Sequence, residues 1–395
     1  NIEGADLIVY TAAIMSDNPE LIAAKASGVK TVERCELLGL VTSWYNKAVC
    51  VSGTHGKTTT SSMLTHMYLA QNIDLSTVIG GKLKAIGGSG RAGSSDVMVC
   101  EACEFSNTFL HLFPNISIIL NIDADHLDFF KDLDDIRHSF RRYAELIPEG
   151  GALVINSDID NLDYFTEGLK CNVITVGSDP EKSMYSAANI TYDEFARGSY
   201  DLVVNGETKT HIVLKVTGEH NIYNSLASIA AAHFMGIDDN SIIAGLQQYG
   251  GTDRRFQYKG KVNGVTIIDD YAHHPTEIRA TLTAAQKYPH DRLVLCFQPH
   301  TYSRTKAFLN DFADVLSMAD VVVLADIYAA REQNTYGISS KDILDLLLEK
   351  GVNAHYFPSF EEIEKFLSEN CVNGDLLITM GAGNVVEIGE DLLKK

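Results

Sequence analysis

No apolar run in this chain approaches the roughly 18 residues needed to span a bilayer, and no basic-then-apolar signal opens it. We therefore expect a soluble protein that is not exported. Cysteine is sparse and odd in number, since Cys35, Cys50, Cys100, Cys103, Cys171, Cys296 and Cys371 are too scattered for a disulfide framework. A reducing cytoplasm fits that pattern. Basic charge is also short, because 32 Lys and Arg against 52 Asp and Glu leave a formal net charge of −20. Such a surface opposes attraction to phosphate backbones and anionic lipid, so neither nucleic-acid binding nor membrane insertion is expected.

Against these absences stands a chain of 395 residues, 45% hydrophobic and 21% charged, enough for two or three domains with separate cores. It begins at Asn1, and residues 2–11 read as a strand already under way inside a domain. We expect a segment upstream. Residues 6–43 alternate a buried strand (DLIVYTA), a helix opened by Asp17-Asn18-Pro19, a short strand (KTVE) and a further helix. From Lys47 a strand, a Gly-rich turn and a helix follow in order, and strands at 96–101, 115–122 and 152–156 then alternate with helices such as 132–147. This grammar predicts a mostly parallel sheet. Two alternating runs around Asn205-Gly206 predict a hairpin within 200–217, with a helix from about Gly218. A new unit is expected after Gly250-Gly251-Thr252, opened by a hairpin at Asn263-Gly264. Strands at 265–269, 292–298, 320–326, 352–356 and 375–380 with helices near 275–288, 303–318, 339–350 and 359–369 make it a small doubly wound domain. The one flexible-looking stretch is Gly87–Ser95.

The run VSGTHGKTTT places G-K-T after a strand and before a helix, where backbone N–H groups and the helix N-terminus face a phosphate. Lys57 is the residue to reach the β/γ-phosphates, and the Thr58 hydroxyl is the Mg²⁺ ligand. We expect that lysine to be exposed, with little packing to lose. The loop is a variant, because Val51 stands where the first glycine usually lies and Gly53 takes over its role. Hard oxygen ligands are also needed, and Glu101 closes the next strand at the edge that faces the ligand crevice. The strand after that ends in NIDADHLD, which leaves His126 either near the phosphates or as a structural histidine among Asp123, Asp125 and Asp128. Two other patterns are set aside. Cys100-Glu-Ala-Cys103 has no second cysteine pair, and Gly88-Ser-Gly90-Arg-Ala-Gly93 neither follows a buried strand nor opens a helix.

GTHGKTTT, EACEFSNTFL, NIDADHLDFF, GEHNIYN, GGTDRRF, DDYAHHPTEI, FQPHTYSRT and GAGN occur in one order, and together they resemble the Mur ligase family over nearly the whole chain. The resemblance implies an α/β architecture of three domains. Residues 1–46 would be the remnant of a Rossmann-like domain for the UDP-sugar, 47–251 the central P-loop ATP-binding domain, and 252–395 a Rossmann-like domain for the amino acid. The opening strand and glycine-rich turn that the family uses for the UDP diphosphate are not in this sequence, so weaker handling of the UDP-sugar is expected of the chain as given. DYAHHPTEI with FQPHTYSRT points to the member that adds L-alanine to the lactyl carboxylate of UDP-N-acetylmuramate through an acyl phosphate. A ligase that joins a recycled tripeptide to the same UDP-sugar is the alternative. From another class, a nucleotide-gated interaction protein would use the loop as a switch.

Carried over residue by residue, the resemblance makes ATP and Mg²⁺ the cofactors. Gly53, Thr54, His55, Gly56, Lys57, Thr58 and Thr59 would hold the phosphates, with Thr58, Glu101 and His126 at the metal. Lys57, Glu101 and His126 are thus the candidate catalytic group. Asn221 and Asn224 look like nucleotide-contacting asparagines, although helix capping is the plainer reading of the residues alone. Arg255 looks like the arginine that reaches ATP from the C-terminal side, and Asp270 like the aspartate completing that contact. Tyr271, His273, His274 and Arg304 look like the amino-acid site, where a guanidinium fork suits a carboxylate. Many relatives carry a second arginine where this chain has Thr301.

Overall fold

The computed structural model describes residues 2–127 and 129–394. In the N-terminal segment β1 (Leu7–Tyr10) and β2 (Lys30–Glu33) pair in parallel, with α1 (Pro19–Ala26) between them and α2 (Arg34–Thr42) after. α1 starts where its sequence dictates: Asn18 Oδ1 accepts from Glu20 N and Leu21 N just before the helix-initiating Pro19. The first strand is not buried as expected. Leu7 and Val9 are 42% and 41% exposed, because a two-stranded sheet has too few neighbours to enclose both faces.

The central unit runs through β3 (Lys47–Ser52), α3 (Lys57–Ala70), β4 (Ser76–Leu83), β5 (Gly88–Arg91), β6 (Val97–Glu101), β7 (Ile116–Ile119), α4 (Leu133–Ala144) and β8 (Ala152–Asn156). It continues with α5 (Asp163–Thr166), β9 (Asn172–Val176), β10 (Tyr185–Tyr192), β11 (Arg197–Val204), β12 (Glu207–Thr217), α6 (His220–Phe234) and α7 (Asp239–Gln248). Strands β3 to β12 form one sheet of order β12-β11-β10-β9-β8-β7-β3-β6-β4-β5, parallel in its middle and antiparallel at both edges. The middle strands are apolar on both faces because helices cover both. Leu64, Met67 and Leu226 pack on one side, and Ile136, Phe140 and Tyr143 on the other. α4 shows how its sequence sets it: Asp132 caps it through Asp135 N, acids fill the first turn, and Arg141 and Arg142 fill the last. The hairpin forms as expected, with Asn205 and Gly206 at φ 50° and 77°.

The stretch Gly87–Ser95, which looked flexible, is instead the edge strand β5 and its return. Asp74 pins it by accepting from Ser94 N and Ser94 Oγ at 2.9 and 2.8 Å and by pairing with Arg91.

The C-terminal unit comprises β13 (Gln257–Val262), β14 (Val265–Asp270), α8 (Pro275–Gln286), β15 (Arg292–Phe297), α9 (Tyr302–Ala307), α10 (Leu309–Leu316), β16 (Val321–Leu324), α11 (Ser340–Glu349), β17 (Asn353–Tyr356), α12 (Phe360–Asn370), β18 (Asp375–Met380) and α13 (Val386–Leu392). Its six strands lie in the order β13-β14-β18-β15-β16-β17, parallel except for β13. Ile278, Phe312 and Leu347 cover one face, and Ile363 and Ile388 the other, which gives the doubly wound arrangement. The single helix expected at 303–318 is two, broken at Phe308 (φ −112°).

Candidate active site

β3 lies near the middle of its sheet, and its C-terminal end delivers the loop 53–56 onto the start of α3. Gly53 and Gly56 have φ 132° and 88°, and a Cβ on Gly56 would lie 2.5 Å from Asn224 Oδ1. Only glycine fits there. The loop is fixed from below, since His55 N donates to Asn121 Oδ1 at 2.8 Å and Thr54 Oγ1 accepts from Asp123 N at 2.9 Å. Gly56 has no side chain with which to cap α3, so the first N–H groups of the helix remain for an anion.

Lys57 is not the exposed residue that its loop position led us to expect. Its side chain is 16% exposed, and Nζ donates to Gly53 O at 2.5 Å and Thr54 O at 3.0 Å while pairing with Glu104 Oε2 at 3.0 Å. Burial opposes its charge, but the Glu104 carboxylate prevails and holds its pKa up at about 12. Glu101 does lie at the strand edge, yet its Oε1 accepts from Gly80 N at 2.5 Å, turned toward β4. His126 has φ 54°, packs its ring on Phe105 at 4.9 Å, and brings Nε2 to 3.9 Å from Glu104 Oε1. Lys57, Glu104 and His126 thus share one cluster. Asp128 lies outside the described residues.

A cavity of 270 Å³ opens between the loop, α6 and the C-terminal unit, lined by Gly56, Asn121, Asn224, Arg255, Asp270 and Glu277 among others. Asn221 and Asn224 are not caps: both are buried inside α6, where Asn221 Nδ2 donates to Thr217 O and Asn224 Nδ2 to Asn221 Oδ1. The adjacent arginines divide their tasks. Arg254 donates to Asp269 Oδ2, Gly381 O and Gly383 O, whereas Arg255 lies over Tyr271 and reaches Thr58 Oγ1 at 3.4 Å. Asp270 is buried and accepts from Phe256 N and Ala272 N, and burial raises its pKa to about 6.

Across the cleft the C-terminal unit meets the loop directly. His55 Nε2 lies 3.1 Å from Asp123 and Nδ1 lies 3.2 Å from Glu277, at ion-pair distance although the angles are not those of hydrogen bonds. Burial would lower the His55 pKa, but the two carboxylates raise it to about 9. Glu277 also closes a capping box with His274 at the start of α8, and His274 Nε2 lies 3.0 Å from Ala124 O. His273 is pushed down to about 4 by burial, with Nδ1 3.3 Å from Glu277. Arg304 Nη2 meets Asp125 Oδ1 at 2.7 Å.

The model of the Mur ligase middle domain matches residues 51–232, and that of the Mur ligase, glutamate ligase domain matches residues 254–383. The chain belongs to the Mur ligase family. Among its relatives, a UDP-N-acetylmuramate–L-alanine ligase of Agathobacter rectalis is 66% identical over 99% of this chain and 85% of its own length. One from Caldanaerobacter subterraneus is 46% identical, covering 100% of this chain and 86% of that protein. The crystal structure of a UDP-N-acetylmuramate-alanine ligase from Thermotoga maritima superposes with a TM-score of 0.84 at 26% identity, over 100% of this chain and 86% of that one.

Of the middle-domain residues singled out in the sequence, His126 joins Lys57 through Glu104, and Asn221 and Asn224 share the 270 Å³ cavity with Gly56, whereas Glu101 turns to Gly80 beside β4. In the C-terminal unit Tyr271 lies beneath Arg255, His273 and His274 sit at the start of α8 with His274 reaching Ala124 O, and Arg304 pairs with Asp125 beside a separate cavity of 240 Å³. Sequence reasoning missed Glu104, Glu277 and the pairing of Asp125. Each sits inside a motif already quoted, but which of several acids in EACE, HHPTEI or NIDADHLD turns inward depends on backbone direction past a strand end.

Proposed function

We propose that the chain is an ATP-dependent ligase that joins L-alanine to the lactyl carboxylate of UDP-N-acetylmuramate. The 66% identity to a relative of that name over 99% of this chain supports the substrates. The observation that carries the chemistry is the cavity between the loop and the C-terminal unit, lined by Gly56, Asn224, Arg255 and Glu277, across which His55 meets Glu277 at 3.2 Å. We read residues 1–46, 47–251 and 252–395 as the units for UDP-sugar, ATP and amino acid.

A carboxylate is a poor electrophile, because it is anionic and would have to expel oxide. Phosphorylation by ATP converts it to an acyl phosphate with a competent leaving group, which the alanine amine then displaces. In this reading the N–H groups of Gly56 to Thr59 and the Lys57 ammonium stabilise charge on the transferring phosphoryl group. Asn221, Asn224 and Arg255 orient the nucleotide from α6 and from the unit junction, with Asp270 fixing the backbone beside Arg255. Tyr271, His273, His274 and Arg304 receive the amino acid.

The donors also fit Mg²⁺. Among the described residues no three His, Cys, Asp or Glu side chains converge as a ready-made metal cage. Mg²⁺ is characteristically held by one or two protein groups plus phosphate oxygens and water, which Thr58, Glu101 and His126 at this edge would supplement. When bound, it would add Lewis-acid stabilisation of phosphate charge. The free cysteines suit a cytoplasmic setting.

The test is incubation with ATP, Mg²⁺ and UDP-N-acetylmuramate plus alanine, serine, glycine or the tripeptide, read by phosphate release and product mass. Alanine should give the adduct. Preference for the tripeptide, or phosphate release independent of both acceptor and amine, would overturn the reading.

A further inference from the structure

Arg304 belongs to the C-terminal unit and Asp125 to the central one, yet both are more than nine-tenths buried, at 9% and 7% exposure. Arg304 Nε and Nη2 donate to the same oxygen, Asp125 Oδ1, at 3.2 and 2.7 Å, and Nη1 meets His300 Nδ1 at 3.0 Å. That oxygen also accepts from His126 N at 2.7 Å, so the carboxylate is held from its own loop as well as from across the cleft.

We propose that Asp125 is a positioning residue for the amino-acid carboxylate, acting through Arg304. The inference rests on the ligase reading above. A guanidinium has five N–H donors, of which these contacts use three. One of the remaining donors is on Nη1 and one on Nη2, and both can serve carboxylate oxygens. With its Nε edge clamped by Asp125 and Nη1 tied to His300, the group cannot rotate that pair away. Arg304 lines a cavity of 240 Å³ together with His126, Thr301, Lys306 and Tyr336, which is room for a small amino acid. Thr301, standing where many relatives have arginine, caps α9 through Arg304 N and offers no charge. Orientation of the Arg304 guanidinium therefore matters more here. Because its clamp comes from the central unit, and from the residue next to His126, the carboxylate site is complete only when the two units are docked.

The test compares steady-state kinetics of the full chain with its Asp125→Ala and Asp125→Asn variants. Loss of the charge-assisted contacts in Asp125→Ala should raise the KM for alanine at least ~10-fold while changing that for ATP less than about twofold. Asp125→Asn keeps an oxygen acceptor and should recover most of that loss. In an Arg304→Lys background, Asp125→Ala should add little, since both act through one contact. Parallel rises in the two KM values, or an unchanged alanine KM, would overturn the proposal. If Asp125→Ala is not recovered folded, Asp125→Ser, which also lacks the carboxylate, decides in its place: a rise in alanine KM without one for ATP upholds the clamp, and none removes it. A wild-type chain that makes no alanine adduct would instead defeat the ligase reading itself.

Discussion

Glu104 holds the ammonium of Lys57 at 3.0 Å, folding the lysine back over the carbonyls of its own loop. The phosphate-binding cation is thus also part of a buried ion pair. Lys57→Ala should reduce turnover by about 10³-fold, the scale of losing a preorganised charge at a transferring phosphoryl group. It should also cost about 3 kcal/mol of stability, because it strands the Glu104 carboxylate. Adding Glu104→Gln should recover the stability and not the turnover, as read by thermal melts and phosphate release. A single mutant with both properties intact would remove Lys57 from the site.

The metal edge gives a second expectation. Glu101→Ala and His126→Ala should raise the Mg²⁺ concentration needed for half-maximal turnover and leave binding of metal-free nucleotide within about threefold, since both would act through the cation. The effect should be larger for the carboxylate. Magnesium titrations identical to wild type in both variants would exclude them as ligands.

His55 links the units in a pH-dependent way. A group whose folded pKa is raised from 6.5 to about 9 contributes fully below 6.5 and loses its contribution as pH climbs through 9. Glu277, held well below 4.5 by His273 and His55 against the effect of burial, contributes above that value and loses it in acid. The bridge should therefore be strongest between about pH 5 and 6.5. Between pH 6.5 and 9.5 the wild type should lose about 1–3 kcal/mol of stability that Glu277→Gln, already weaker, loses less steeply. Superimposable slopes in denaturant melts across that range would show that the bridge contributes nothing.

These expectations separate what the residue order makes legible from what it hides. The strand–loop–helix around GTHGKTTT could be read directly, because a glycine run between an apolar strand and a helix has few other uses. The hairpins at Asn205-Gly206 and Asn263-Gly264 were equally plain. β4, β9 and β10 carry no comparable signal, being short or only part-buried, and Gly87–Ser95 reads as flexible because its order comes from Asp74, far from it in pattern terms. In the site, the facing of Asp125 toward Arg304 and of His55 toward Glu277 arises from docking two sheets. No local periodicity encodes that.

The paired arginines at the junction give the last expectation. Arg254 and Arg255 are adjacent, equally basic and both stacked over Tyr271, at 4.9 and 5.2 Å. Their partners differ. Arg254 is consumed by the C-terminal unit, with its guanidinium on the fully buried Asp269 and on two carbonyls of the 381–383 turn. Removing it leaves a buried carboxylate and two unsatisfied carbonyls, so Arg254→Ala should cost about 3–5 kcal/mol of stability. Arg255 reaches out to Thr58 Oγ1 at 3.4 Å and lines the 270 Å³ cavity, where its charge acts on Asp270 and Glu277 from a distance rather than through the close contacts that tie Arg254 to Asp269. Arg255→Ala should therefore change the melting temperature by less than about 2 °C while raising the KM for ATP about tenfold or more. Measuring both quantities on both variants makes the assignment a crossed comparison. If Arg254→Ala weakened ATP use with an unchanged melt, and Arg255→Ala did the reverse, the two roles would have to be exchanged.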